Sequence, residues 1–513
     1  MIPQLRWLVA LLLGLLVLWA PLPFGSAPAW AVSILQWGAA AALLLCAWVA
    51  RDARRLRAVR APFGLFLALA AFGVLQSLAV PRWLASLLSP GHARLSSAVG
   101  EVVEAGWVHL SLSPDLSRRT ALWWLALAAA FVSAAMVGER SARRRVLLGS
   151  VLLAALFQAA FGLRELFLER STIWGVRVPQ PPGRLRGSFI NPDHAAFLFL
   201  LALSICFAWI VWAARSHRWP SSWTNRVARA IVPAALWIGF LAAILLTGSR
   251  AALAAALGGT LVQAVLIGRG RKRLWIAGVV LLLVVAGLGL VAGFAFDAGF
   301  GRLAGTTAFE LIWNDRWVAY RATLAVWSRF PILGTGLGSF RDAFPLAQPE
   351  GLHEVWRHAH SDWLELLATM GLVGLGLVIA AIWLLGRRLW RQEERAARSE
   401  DHAGAVAGLG ALAMAAFHSM LDFSLTMPAD AFTLAVLLGC ASGAPAIGSA
   451  RRRRLAVEEG HRAGLRGRAG DVDQLDEVGT GPDLRPDRDP GAGLVRHRLE
   501  EPAVQADLDR AAE

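Results

Sequence analysis

Four segments of the sequence gather side chains that can hold a phosphate or move a proton. The first spans residues 183–194 and carries Arg184, Arg186 and Asn191, followed by Pro192, Asp193 and His194. The second is Thr247-Gly248-Ser249-Arg250. The third carries Arg316, Tyr320 and Arg321, and runs on into a glycine-rich stretch at 331–340. The fourth is His358-Ala359-His360-Ser361-Asp362, with Glu365 close behind. A guanidinium grips phosphate through paired, charge-assisted hydrogen bonds and keeps its charge at every relevant pH. A neutral imidazole accepts a proton near pH 7. Together these groups suit a displacement in which arginines stabilise a departing diphosphate while a histidine activates an attacking hydroxyl.

Each segment also has a plainer reading. Arg184 and Arg186 could meet lipid headgroups, and Arg250 could reach the interface from a helix end. Arg316 and Arg321 are five apart and share a helix face poorly, so one of them is expected to be structural, with Asp315 a candidate partner. The glycine-rich stretch lacks the Lys-Ser/Thr ending of a phosphate loop, and reads as a turn that lets the backbone approach something closely. His358 and His360, with carboxylates nearby, admit a metal. No further ligand cluster follows them, so the metal-free base is preferred, and neither metal nor cofactor is expected. His418 and Asp422 are four apart, which places them on one helix face, as a packing pair or a functional one. Cys46, Cys206 and Cys440 lie in apolar runs and read as small core residues.

The elements that would position these groups are apolar helices. Of 513 residues, 56% are hydrophobic and only 17% are charged, and mean hydropathy is +0.52. The charge is bunched between apolar runs long enough to cross a bilayer, so the net +15 is not the footprint of nucleic-acid binding. Hydropathy predicts about twelve spans, at 5–24, 30–50, 61–80, 121–137, 146–166, 194–214, 231–248, 251–268, 274–295, 364–386, 402–425 and 429–448. Basic clusters at 51–60, 140–145, 215–229, 269–273, 387–398 and 451–454 each follow an even-numbered span. The positive-inside bias therefore puts both termini in the cytoplasm and the chemistry-bearing segments on the outer face, where arginines need a reason to be. The outer segments are 81–120, with an amphipathic stretch expected at 95–110, then 167–193 and the large loop 296–363. Residues 1–450 form the membrane domain. Residues 451–513 read as a disordered charged cytoplasmic tail, and the Asp471-Val472-Asp473 in it as chance.

In this order, residues 184–195, 247–250, 316–340 and 358–371 resemble the O-antigen ligase/polymerase family, over a core of about 120–445. The resemblance implies an all-α, GT-C-like bundle in the bacterial inner membrane with a large periplasmic loop. It implies an inverting, metal-independent glycosyltransferase that takes glycan from an undecaprenyl-diphosphate carrier to a lipid or glycan acceptor. By the same resemblance Arg186 and Arg250 match arginines that hold the diphosphate, and Arg316 matches one at the start of the large loop. His360 matches the histidine that serves as base or acceptor-site residue. The expected catalytic set is His360, Arg250 and Arg316. The expected binding set is Arg184, Arg186, Asn191, Arg321, His358 and Asp362. Two departures stand out: Ser361 follows His360 where the family often has Asn, and Asp193 stands where it often has a second Asn. The negative charge of Asp193 is unhelpful beside a diphosphate unless it faces an arginine. Ligase and polymerase are not separated by these residues. A transporter or flippase is disfavoured because the polar groups crowd the loops rather than the mid-membrane.

Overall fold

The computed structural model describes residues 2–49, 53–99, 106–178, 183–215, 223–267, 315–350, 352–353, 355–395 and 399–443, all within a unit spanning Met1–Ala450. The expected span 274–295, the start of the large loop up to Asn314, and the tail 451–513 lie outside the described residues. The helices are α1 (Ile2–Trp19), α2 (Ala29–Val49), α3 (Ala53–Gln76), α4 (Arg82–Leu88), α5 (Pro90–Val99), α6 (Pro114–Val137), α7 (Ser141–Phe167) and α8 (Pro192–Arg215). They continue as α9 (Trp223–Thr247), α10 (Arg250–Ile267), α11 (Asp315–Arg329), α12 (Phe340–Ala343), α13 (Asp362–Arg395), α14 (Ser399–His418) and α15 (Pro428–Ser442). Two short antiparallel ladders accompany them: β1 (Ala79–Pro81) with β2 (Trp107–His109), and β3 (Thr172–Ile173) with β4 (Val176–Arg177).

Among the described residues, six helices are long and apolar enough to cross a membrane: α2, α6, α7, α8, α9 and α13, by length and composition. Lipid offers no hydrogen bonds to a backbone, so an apolar run of this length closes its own as a helix. Shorter apolar helices lie within α1, α3, α10 and α15. Every expected span other than 274–295 overlaps a helix of the described residues. The centre of the bundle is α8, which packs against α7, α9, α10, α14 and α15. Ala195 through Leu203 are all essentially without exposure, as expected of a helix that is apolar all round.

The longest helix is interrupted. In α13, Gly371 has φ +61° and ψ −161°, outside helical space. The groups freed there bond to residues 331–336. Thr335 N–H donates to Ala368 O (2.9 Å) and Gly336 N–H to Thr369 O (2.9 Å), while Leu372 and Val373 N–H donate to Pro331 O and Ile332 O (3.0 and 3.2 Å). The Gln76 amide clasps the junction, donating to Leu333 O (2.6 Å) and Thr369 O (3.0 Å) and accepting from Leu337 N–H (3.0 Å). A Cβ on Gly334 would collide with the backbone of Thr369 and Met370, and one on Gly371 with Ile332 O. What the glycine-rich stretch approaches closely is thus the broken helix itself.

Three expectations need correction. The stretch 95–110 is not one amphipathic helix, because α5 ends at Val99 and residues 107–109 pair as β2 with β1. The first span stops at Trp19 rather than residue 24, with Pro21 and Pro23 in the turns beyond it. The span 402–425 ends at His418, after which the chain turns and forms a 3-10 turn at Ser424–Thr426. His418 and Asp422 therefore do not share a helix face. They meet across the helix end, Nε2 to Oδ2 at 3.8 Å.

Candidate functional site

The start of α8 builds the first half of the site. Asn191 Oδ1 accepts the Asp193 N–H at 3.0 Å and Pro192 takes the first helical position, a capping arrangement written into the sequence. Asp193 then sits in the first turn, where the helix dipole favours an anion. Its Oδ1 accepts from Arg184 Nη2 at 2.9 Å, its Oδ2 lies 3.7 Å from Arg316 Nη2, and it accepts a hydrogen bond from the Ser249 hydroxyl. Ser249 in turn caps α10 by accepting the Ala252 N–H. Arg184 Nε donates to Thr247 O (2.5 Å), Leu185 N–H to Leu246 O (2.9 Å) and Arg316 Nη1 to Leu421 O (3.4 Å). One carboxylate thus ties together the 183–194 segment, the 247–250 hairpin and α11. The condition set for a tolerable Asp193 is met by two arginines, and Arg316 turns to Asp193.

The second half is a cleft of about 270 Å³ lined by Val355, Trp356, Arg357, His358, His360 and Phe423. The Phe423 ring is its hub. His358 stacks on it in parallel (4.6 Å, 13°), while His360 (4.8 Å) and His194 (4.9 Å) meet it edge-on. Glu365, in the first turn of α13, reaches back and fixes the loop: Oε1 lies 3.1 Å from His358 Nδ1, and Oε2 accepts the Ala359 N–H at 3.0 Å. His360 has φ +53°, a left-handed conformation uncommon for a residue with a side chain. The Tyr320 hydroxyl holds it there by donating to His360 O (2.8 Å), and the Trp356 ring packs against the imidazole at 5.3 Å.

This environment pushes the two histidines apart in basicity. Burial, reinforced by the charges of Arg316 and His358, lowers the His360 pKa to about 4. Burial also disfavours charge on His358, but the Glu365 carboxylate outweighs it by charge and hydrogen bond, with Asp362 adding to it, and the net pKa is raised. A neutral imidazole beside a readily protonated one is the division of labour that acid–base sites use. Tyr320 is moved up, by burial first.

The structure brings Arg184, Arg316, His358 and His360 into one neighbourhood. Arg250 is exposed at the first position of α10, next to Ser249. A positive charge at a helix N-terminus opposes the dipole, which makes this a place for an anion to be welcome. Arg186 is buried, and burial first, then the charge of Arg184, lowers its pKa. Arg321 lies exposed on α11. Asn191 is engaged as a cap. The Asp362 carboxylate accepts from Ser419 Oγ (2.7 Å) and Leu425 N–H (3.2 Å), so it holds the 419–425 turn. The sequence assigned no role to Phe423 as a hub or to Glu365 as the anchor of His358. The Glu365 signal was available, one turn into the helix that follows the histidines. Phe423 gave none, being one aromatic residue in an apolar run.

No curated protein matches the chain significantly. A family model described as O-antigen ligase matches residues 234–379, from α9 into α13, a stretch that includes Arg250, Arg316, His358 and His360 but not Arg184 or Arg186. This is a largely helical chain with apolar helices able to span a membrane, and over residues 234–379 it carries a domain of the O-antigen ligase family.

Proposed function

We propose that the chain is an inverting, metal-independent membrane glycosyltransferase of O-antigen ligase type. It moves glycan from an undecaprenyl-diphosphate carrier to an acceptor hydroxyl at the periplasmic face of the bacterial inner membrane. The observation that carries this reading is the convergence of Arg184 and Arg316 on Asp193, beside the cleft of His358 and His360. Arg316, Arg250 and Arg184 take the diphosphate, and its charge is stabilised as it leaves. Asp193 holds two of these guanidinium groups at a fixed spacing before the donor arrives, which reduces reorganisation on binding. His360, kept neutral, accepts the acceptor proton, and the hydrogen-bonded His358–Glu365 pair holds the loop. The same chemistry serves a polymerase, whose acceptor is a second carrier-linked glycan.

The test is transfer from a lipid-linked donor by purified protein in the presence of a chelator. His360→Ala and Arg250→Ala are expected to abolish transfer while membrane insertion is unchanged. Full activity of both variants would remove the basis for these roles, and activity restored only by a divalent ion would replace the metal-free mechanism. In a deletion strain, accumulated carrier-linked polymer would indicate a ligase and accumulated single repeats a polymerase.

A further inference from the structure

Next to Phe423, whose ring also lines the cleft, lies a set of polar side chains that the proposed transfer does not use. His194 is 2% exposed, His418 0%, Asp422 1% and Asp430 0%. Both ring nitrogens of His194 and of His418 have no hydrogen-bond partner, nor do Oδ1 of Asp422, Oδ1 of Asp362 or either carboxylate oxygen of Asp430. The groups come from separate elements: α8, the end of α14, the turn after it, and the first turn of α15. They lie within electrostatic reach of one another. Asp430 faces Asp422 and Asp362; Asp422 faces Asp193, His194 and Arg316; His418 faces Asp193 and Arg316.

A buried polar atom left without a partner is costly, so eight such atoms in one region call for an occupant. The charges narrow the choice. The arginine that acts on His418 and Asp422, Arg316, also lies against Asp193, and the charged neighbours of Asp430 are both acids. A carboxyl group so placed in an apolar bundle is stable with its proton on. Two imidazoles with both nitrogens open suit water, which can donate to one nitrogen and accept from the other. They suit a hard cation poorly, since that would seek oxygen alone. Among the described residues no three His, Cys, Asp or Glu side chains are grouped to hold a metal ion.

We propose that His194, His418, Asp422 and Asp430, with Asp362 at the edge, form a water-bridged cluster inside the helix bundle, next to the Phe423 ring, that holds exchangeable protons at neutral pH. The cluster is a feature of the bundle and stands whether or not the chain transfers glycan.

The test is infrared spectroscopy of the whole protein in liposomes, at neutral pH, in H2O and in D2O. A protonated carboxylic acid has its own carbonyl stretch, and that band is expected in the wild-type protein and expected to shift on deuteration. Asp430→Asn and Asp422→Asn should each remove part of it, while Asp342→Asn, which alters a carboxylate on the 340–343 turn, should leave it intact. The wild-type measurement decides even if a variant does not fold. Absence of the band, or a band unmoved by D2O, would overturn the proposal, the second because it means a dry cluster. A band that disappears on adding sodium would also overturn it, in favour of a cation site.

Discussion

His360 carries the sharpest expectation at the residue level. Its lowered pKa of about 4 means that it stays a competent base until the medium is strongly acidic. The acid limb of kcat/KM should therefore fall near pH 4 rather than near the ordinary histidine value of about 6.5. An acid limb at the ordinary value would mean that His360 is not the base. Removing a general base costs typically ~10²–10⁴-fold in rate, which sets the scale for His360→Ala. Stability should respond with opposite signs at the two histidines. The raised pKa of His358 gives stability that is fully present below its unfolded value of about 6.5 and is lost as pH rises through the folded value. The lowered pKa of His360 works the other way, since the folded state resists the proton that the unfolded chain takes up as pH falls from ~6.5 toward 4. Glu365→Gln removes the charge that raises His358, so the loss of melting temperature on the alkaline side should vanish in that variant. Melting curves of detergent-solubilised protein across this range would show it, and an unchanged alkaline slope would exclude Glu365 as the cause.

Elements rather than single side chains set the spacing of the site. The loop that carries His358 and His360 hangs from the first turn of α13, and α13 is held at its break by residues 331–336 and Gln76. Gln76→Leu takes the Gln76 partner from Leu333 O and from Leu337 N–H, while Thr369 O keeps the Gly336 N–H, and it is expected to cost on the order of 2 kcal/mol. The readout is a lowered apparent Tm, with Gln76→Ala giving a similar loss. A variant as stable as wild type would show that the clasp is dispensable. Gly334→Val should be worse, because both its φ of +73° and the nearby Thr369 backbone reject a side chain. Pro114, Pro192 and Pro428 each stand at a first helical position, where proline loses nothing by lacking an N–H, whereas hydropathy alone places the first of these starts at 121. The helix ends inside apolar runs were not legible. Hydropathy reads 402–425 as continuous, and only the packing of the 419–425 turn against Asp362 shows where α14 stops.

For the whole molecule, α13 separates the histidine loop from the basic stretch near residue 390. A reporter fused after Ala359 should read periplasmic and one after Arg395 cytoplasmic. The same reading on both sides would break the assigned topology. The arginines and histidines of the site come from segments far apart in sequence and meet at one end of the bundle, near the starts of α8, α10, α11 and α13. Four helix N-termini at one end add their positive dipole ends to the guanidinium charge, which favours a polyanion there.

The sequence alone determined the class of the molecule. Apolar runs of spanning length leave a backbone no choice but helix, and the bunching of arginine at alternate ends fixes an expected orientation before any contact is known. It also picked out the segments whose residues could do chemistry. Tertiary structure decided which charges meet. Arg316 lies 3.7 Å from Asp193, and no spacing in the chain links residues so distant. The same holds for the Gly371 break, which is stable only because another segment supplies the missing hydrogen bonds, and for Phe423, whose place between three histidines follows from where α14 ends. Local pattern reports what a segment prefers by itself, whereas pairing across a bundle depends on which surfaces pack together.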